Sequence, residues 1–243
     1  MPTFVHYLPI LTTVVAAAFT VVLHKRWRMK PTAYYLLWWM IGAAMYGVGT
    51  LTESITTVFG WNLITFKAWY ISGALLGGAP LAQGTVYLLF QEKTAHRMSA
   101  ALIAAVVIAA VCVAASPVSM ILVEPHRLSG AVMEWDWVRL FSPFINIYAF
   151  IFLVGGAAWS AVRYARRAKT GATDPRRVWG NVWIAVGALL PGIGGSAARM
   201  GQVEVLYVTE LVGLALIWLG YHVMTRSAAR SIHASQRVVA KAS

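Results

Sequence analysis

Sixteen of the twenty Lys and Arg residues fall in alternate gaps between seven apolar stretches, and this pattern constrains the chain more than any other feature. Lys25, Arg26, Arg28 and Lys30 follow the first stretch. Lys93 and Arg97 follow the third, and Arg163, Arg166, Arg167, Lys169, Arg176 and Arg177 follow the fifth. Arg226, Arg230, Arg237 and Lys241 follow the seventh. The other gaps and helix ends hold only Lys67, Arg127, Arg139 and Arg199. Short cytoplasmic loops of membrane proteins accumulate Lys and Arg. The basic gaps are therefore expected inside, with the N-terminus outside and the C-terminus cytoplasmic.

The apolar stretches cover roughly 5–24, 33–57, 63–90, 98–119, 138–162, 178–198 and 205–225. A membrane-spanning helix needs about 20 mostly apolar residues. The expected fold class is an all-α membrane protein with seven transmembrane helices. One domain, 1–225, fills the chain, followed by a basic cytoplasmic tail, 226–243. Soluble domains carry about 25% charged residues, whereas this chain carries 12%. The net charge of +12 is spread over four short segments beside helix ends. Its expected partners are anionic headgroups of the lipid bilayer, and not nucleic acid. MPTFVHYLPI has neither a basic n-region nor a small-residue cleavage site, so the first stretch reads as a retained helix in the plasma (inner) membrane. Cys112 is the only cysteine and reads as a small core hydrophobe.

The gap at 117–137, SPVSMILVEPHRLSGAVMEWDW, alternates apolar and polar residues around Ser129-Gly130 and could form a short hairpin lid. Asp174-Pro175 suits the start of the sixth helix. Gly42, Gly47 and Gly49 in the second stretch and Gly187, Gly192 and Gly194 in the sixth both read G-x-x-x-x-G-x-G, 145 residues apart. A parallel three-plus-one-plus-three duplication would produce this echo. So would the general use of small residues for close helix packing. Pro80, Pro143 and Pro191 are expected to kink their helices, and Pro191, Gly192 and Gly194 form the best hinge candidate.

Charge inside a membrane helix is costly and points to function by default. Counted at about 1.5 Å per residue, Glu53, Lys67, Arg139, Arg199 and Glu210 all fall in the outer third, with Asn146 two turns below Arg139. An outward-open pocket of Glu53, Lys67, Asn146, Arg199, Tyr207 and Glu210 would bind a polar ligand or an ion. The alternative is a set of interfacial ion pairs, Glu53 with Lys67 and Glu210 with Arg199. Glu210 is the sharpest candidate because it lies deepest. Trp27, Trp61, Trp69, Trp135, Trp137 and Trp179 fit an aromatic belt at the membrane boundaries. His24 and His222 lie at matching depth and could hold a haem between the first and seventh helices, although both sit in the headgroup zone, where His is ordinary. No nucleophile–base set and no cysteine-based metal site is present, so neither catalytic residues nor a cofactor are expected.

Seven helices with the N-terminus outside resemble microbial rhodopsins, but LYVTELVGLALIWLGYHVM has no Lys for a retinal Schiff base. The segment WNLITFKAWYISGALLGGAPLAQGTVYLLF resembles the seven-helix sensor region that precedes the kinase domain in many bacterial histidine kinases. With RVWGNVWIAVGALLPGIGGSAARMG and the LYVTELVGLALIWLGY that follows, it is closer still to stand-alone bacterial seven-helix proteins of similar size. The resemblance covers roughly 33–225 and defines no site residues. It implies a non-enzymatic sensor that takes a small ligand from the outer face and signals through a separate protein partner or a homo-oligomer. A structural or assembly subunit of a larger membrane complex, such as a respiratory one, is the second reading. A small-solute facilitator is the third, although Pro80-Leu-Ala-Gln83 is not the adjacent Pro-Gln of the PQ-loop facilitators.

Overall fold

The computed structural model describes residues 4–170 and 174–242, with side chains described as far as Ser227. Residues 171–173 of the basic gap and the side chains of Arg230, His233, Arg237 and Lys241 in the tail lie outside the described residues. The helices are α1 (Leu8–Met29), α2 (Tyr34–Phe59), α3 (Leu63–Trp69), α4 (Ala79–Leu89), α5 (Glu92–Ala115), α6 (Phe141–Ala149), α7 (Gly156–Lys169), α8 (Arg176–Arg199) and α9 (Val203–Ala242). One π-helical turn, Tyr70–Leu75, extends α3, and another, Phe150–Gly155, joins α6 to α7. Among the described residues there is no strand.

Five helical segments are long and apolar enough to cross a membrane: Phe4–Met29, Glu92–Ala115, Asp136–Lys169, Arg176–Arg199 and Val203–Ser227. The other two expected spans differ for separate reasons. α2 has the length, but its second half, TLTESITT, replaces apolar side chains with hydroxyls and a carboxylate. These are tolerated because the face is buried in the bundle: Thr50, Thr52, Glu53, Ser54, Thr56 and Thr57 are all buried. The third expected span is broken at Leu76–Gly78 between the π turn and α4. Pro80 therefore sits in the first turn of α4, where its missing N–H costs nothing, and does not kink a continuous helix. α8 runs unbroken through Pro191.

The helices close a ring. α1 packs on α2, α2 on α3 and α4, α4 on α6 and the second π turn, α7 on α8, α8 on α9, and α9 back on α1. α5 lies outside the ring against α4 and the first π turn. It is fastened by the buried amide of Gln83, which donates to the Ala95 carbonyl at 3.1 Å and to Ser99 Oγ at 2.8 Å and accepts from the Tyr148 hydroxyl. One apolar core, around Phe19, Ala43, Leu81, Leu153, Ile184 and Leu214, fills one half of the ring. A second, around Phe66, Leu75, Val113, Val132 and Val138, joins α3, α5 and the 116–138 loop at the other end.

α8 and α9 meet along a seam of glycines spaced by seven. A Cβ on Gly180 would lie 3.0 Å from the Gly220 carbonyl oxygen, one on Gly187 would lie 2.5 Å from that of Gly213, and one on Gly194 would lie 2.8 Å from the Leu206 Cα. The seven-residue period keeps one stripe of each helix on the seam. The two glycine motifs share a structural use. Gly42 packs on Leu81 and Gly49 on Gly73, as Gly187 and Gly194 pack on α9. In both, the first and last glycine face the span that follows in the chain, which for Gly42 and Gly49 is the broken third span.

The expected hairpin at 117–137 is replaced by short 3-10 turns at Met120–Leu122 and Gly130–Val132. Its two ends pair through Ser119 N–H to the Val132 carbonyl at 2.8 Å and Glu134 N–H to the Pro117 carbonyl at 3.0 Å, and its tip pairs through Arg127 N–H to the Glu124 carbonyl at 3.3 Å. The reversal sits at Glu124–Arg127 and not at Ser129-Gly130. Contacts tie the basic gaps in pairs, the first to the second and the third to α9. Tyr34 at the start of α2 packs at a tilt on Tyr87 and edge-on against His96 beside the α4–α5 turn, and Ser227 on α9 donates to Asp174 ahead of α8 at 2.7 Å.

A buried carboxyl pair as candidate functional site

The second half of α2 places Tyr46, Thr50, Glu53 and Thr57 on one face, because residues three and four apart stack along a helix. Most of its hydroxyls are satisfied locally. Thr52 donates to the Gly49 carbonyl at 2.6 Å and Ser54 to the Thr50 carbonyl at 2.7 Å. Thr50 Oγ1 lies 2.9 Å from Thr13 Oγ1 on α1. Glu53 cannot be satisfied this way. It is only 4% exposed, and its Oε1 accepts from Trp69 Nε1 at 2.9 Å.

Across the ring, Tyr46 donates its hydroxyl to the backbone carbonyl of Glu210 at 3.0 Å, which ties α2 to α9. The two carboxyl groups, Glu53 and Glu210, come within hydrogen-bond reach of each other. Each keeps one buried oxygen, Oε2, that no donor meets. Two bare carboxylates repel at this separation, so the pair needs a proton or a cation between them.

A roof of loop covers the pair. Trp61 N–H donates to the Pro125 carbonyl at 2.7 Å, and His126 Nδ1 lies 3.4 Å from the Thr56 carbonyl oxygen. Arg127 donates to the Ala198 carbonyl at the end of α8 at 3.2 Å and pairs with Glu124 at 3.1 Å. On the α9 side, His6 reaches Glu204 at 3.6 Å and packs its ring edge on Tyr207. Among the described residues, seven buried side-chain polar atoms have no hydrogen-bond partner, and five of them (on Glu53, Thr56, Thr57, Trp61 and Glu210) lie at this end.

The structure gathers only part of the pocket that the sequence suggests. Glu53, Tyr207 and Glu210 come together. Lys67 does not join them: its ammonium turns to the end of α5 and donates to the Val113 carbonyl at 2.6 Å and to the Ser116 carbonyl. Carbonyls at a helix C-terminus lack intrahelical partners and attract a cation, so Lys67 caps α5. Arg199 is exposed at the end of α8 and forms no pair with Glu210. Asn146 donates to the Ala74 carbonyl at 3.1 Å and to Ser142 Oγ at 3.1 Å, so it braces the broken third span. Both expected ion pairs are thus replaced by one acid–acid pair. Trp69 and Tyr46, which position that pair, carry no signal in the sequence beyond their spacing from Glu53 and Thr50.

The hinge candidates also separate. Gly192 has nothing within 4 Å of a built Cβ, whereas Gly194 is packed on Leu206 and Thr209 and Pro191 lies against Gly213. Pro191 and Gly194 therefore hold α9 in place. His24 and His222 are both exposed, and neither ring lies in the ring's interior, so they do not fit a haem. The cavity between Phe19, Trp39, Leu153, Ile184 and Tyr221 is about 10 Å³, at the lower limit for one water. Among the described residues, no three His, Cys, Asp or Glu side chains cluster together, so a site built on three such ligands is not present.

No protein-family model matches the chain, and neither a curated protein nor a solved structure is similar to it.

Proposed function

We propose that this is a non-enzymatic multi-pass plasma-membrane protein of sensor type. It crosses the membrane seven times with its N-terminus outside. It takes a small ligand from the outer face at the Glu53–Glu210 pair and acts through a separate protein partner or a second copy. The observation that carries this reading is the pair itself: two carboxyls from helices far apart in sequence, buried together under a loop. Such an arrangement is expensive to keep in an apolar bundle, and intramembrane acids of this kind mark ligand or ion sites. The pair also bridges α2 and α9 directly, so a change there alters how the two helices sit. α9 continues past its apolar span to Ala242, and the basic gaps gather at the end opposite the loop. Both features suit an outside-to-inside route along α9.

The test has two parts. Reporter fusions at the C-terminus should be active in the cytoplasm, and periplasmic activity would reverse the proposed sidedness. Purified protein should then be melted with a panel of small solutes and reconstituted for flux. A sensor binds with saturation, loses the effect in Glu210→Gln, and shows no flux. Solute flux would establish the facilitator reading. Identical melting of wild type and Glu210→Gln under every condition would move the protein to the assembly-subunit class.

A further inference from the structure

The chemistry of the pair narrows the ligand class. Every unsatisfied acceptor at the site is oxygen: Glu53 Oε2, Glu210 Oε2, and the hydroxyls of Thr56 and Thr57. Thr56 is 1% exposed and Thr57 is 5% exposed, so bulk solvent does not reach their hydroxyls. Side chains on a helix lean toward its N-terminus. Thr57, four residues after Glu53, therefore reaches back over the Glu53 turn. Cys112 lies on α5, outside the ring, and the His126 ring engages the Thr56 carbonyl. A site without sulfur or nitrogen donors suits a hard cation.

We propose that Glu53 and Glu210, with the Thr57 hydroxyl, bind a hard divalent cation of the calcium class entering from the loop end. The inference rests on the pair being the ligand site of the sensor. Charge decides for a divalent ion. Two carboxylates in a low-dielectric bundle are neutralised by one +2 ion, whereas a monovalent ion leaves a buried negative charge. Coordination decides for calcium over magnesium. Calcium accepts an irregular set of about 6–8 oxygens at about 2.3–2.6 Å, including bidentate carboxylates and carbonyls. Magnesium demands a near-ideal octahedron and gives up its waters reluctantly. The charged and titratable groups around the pair are Tyr46 on α2, Tyr207 and Glu204 on α9, Arg127 and His126 on the loop, and His6 ahead of α1. Arg127 is already engaged by Glu124 and the Ala198 carbonyl, so it does not fill the site as a built-in cation.

The full chain in detergent should be melted across a CaCl2 series at constant ionic strength, with MgCl2, NaCl and N-methylglucamine chloride as controls. Direct binding should be measured in parallel by equilibrium dialysis with radiocalcium. The expected result is one saturable calcium site and a melting temperature that keeps rising with the logarithm of calcium concentration. Glu53→Gln and Glu210→Gln should weaken binding at least tenfold, Thr57→Val should weaken it less, and Glu204→Gln should leave it unchanged. If the two Gln variants do not fold, dialysis on wild type and Thr57→Val still decides. No saturable calcium site on wild type overturns the inference. If acidification alone then stabilises wild type and not Glu53→Gln, the pair remains the ligand site and the ligand is a proton. If neither cations nor pH separate the variants from wild type, the site assignment falls as well.

Discussion

Adding one methyl group to Gly187 should separate the two helices that carry the candidate site's far wall. A Cβ built there lies 2.5 Å from the Gly213 carbonyl oxygen and 2.9 Å from the Ile217 nitrogen. Ordinary contact begins near 3.4 Å, so the methyl group is about 0.9 Å too close to backbone that no rotamer change can move. α8 and α9 must part by about that distance, and the Gly180–Gly220 and Gly194–Leu206 contacts above and below part with them. Overpacking of this kind costs about 1–3 kcal/mol, or about 2–12 °C in melting temperature for a chain of this size. Gly192→Ala is the internal control. It lies on the same helix, five residues on, with nothing within 4 Å. There the methyl group meets no neighbour and gains up to about 1 kcal/mol of helix propensity. Melting curves of purified wild type, Gly187→Ala and Gly192→Ala in the same detergent should therefore move in opposite directions. Equal shifts for the two variants would refute the seam.

Three further outcomes follow from single contacts. Trp69→Phe leaves Glu53 Oε1 without its donor and should cost about 1–3 kcal/mol, read as a lower melting temperature. Lys67→Met uncaps α5 and should cost about 1 kcal/mol, because water already screens the part-exposed ammonium; ligand binding should persist, and its loss would return Lys67 to the site. Asp174 accepts from the Arg176 N–H at 2.9 Å and from Ser227, and these bonds hold its carboxyl below the usual carboxylate range. Its contribution is complete above the unfolded value of about 3.9 and is lost as pH falls through the lower folded value. Asp174→Ala should therefore destabilise the protein by about 0.5–2 kcal/mol at pH 7 and by progressively less below about pH 4, as read from melting curves across pH.

Runs of apolar residues and alternating basic gaps carry the architecture in the chain itself, because membrane spans are set by local composition and length. The ends of the second and sixth helices fall within two residues of the expected spans, whereas the first runs on to Met29, the fourth starts at Glu92, the fifth reaches Lys169 and the last reaches Ala242, because the basic residues beside those stretches continue the helices. The glycine motifs were legible as close-packing signals, but their partners were not. Gly187 meets Gly213 only because α8 and α9 lie antiparallel at a particular register. The third span illustrates the limit. Its composition reads as one helix, yet Gly77 and Gly78 let it break, and Asn146 and Ser142 from α6 then satisfy the freed Ala74 carbonyl. The site shows the limit most clearly. Each charged residue was visible, and opposite charges at similar depth suggested Glu53 with Lys67 and Glu210 with Arg199. Tertiary packing decided otherwise. Lys67 found the bare carbonyls at the end of α5, Arg199 stayed at the surface, and the two acids were left facing each other. Depth along a helix is a one-dimensional quantity that sequence supplies. Which faces meet depends on the rotation of each helix about its axis, and the assembled ring alone fixes that.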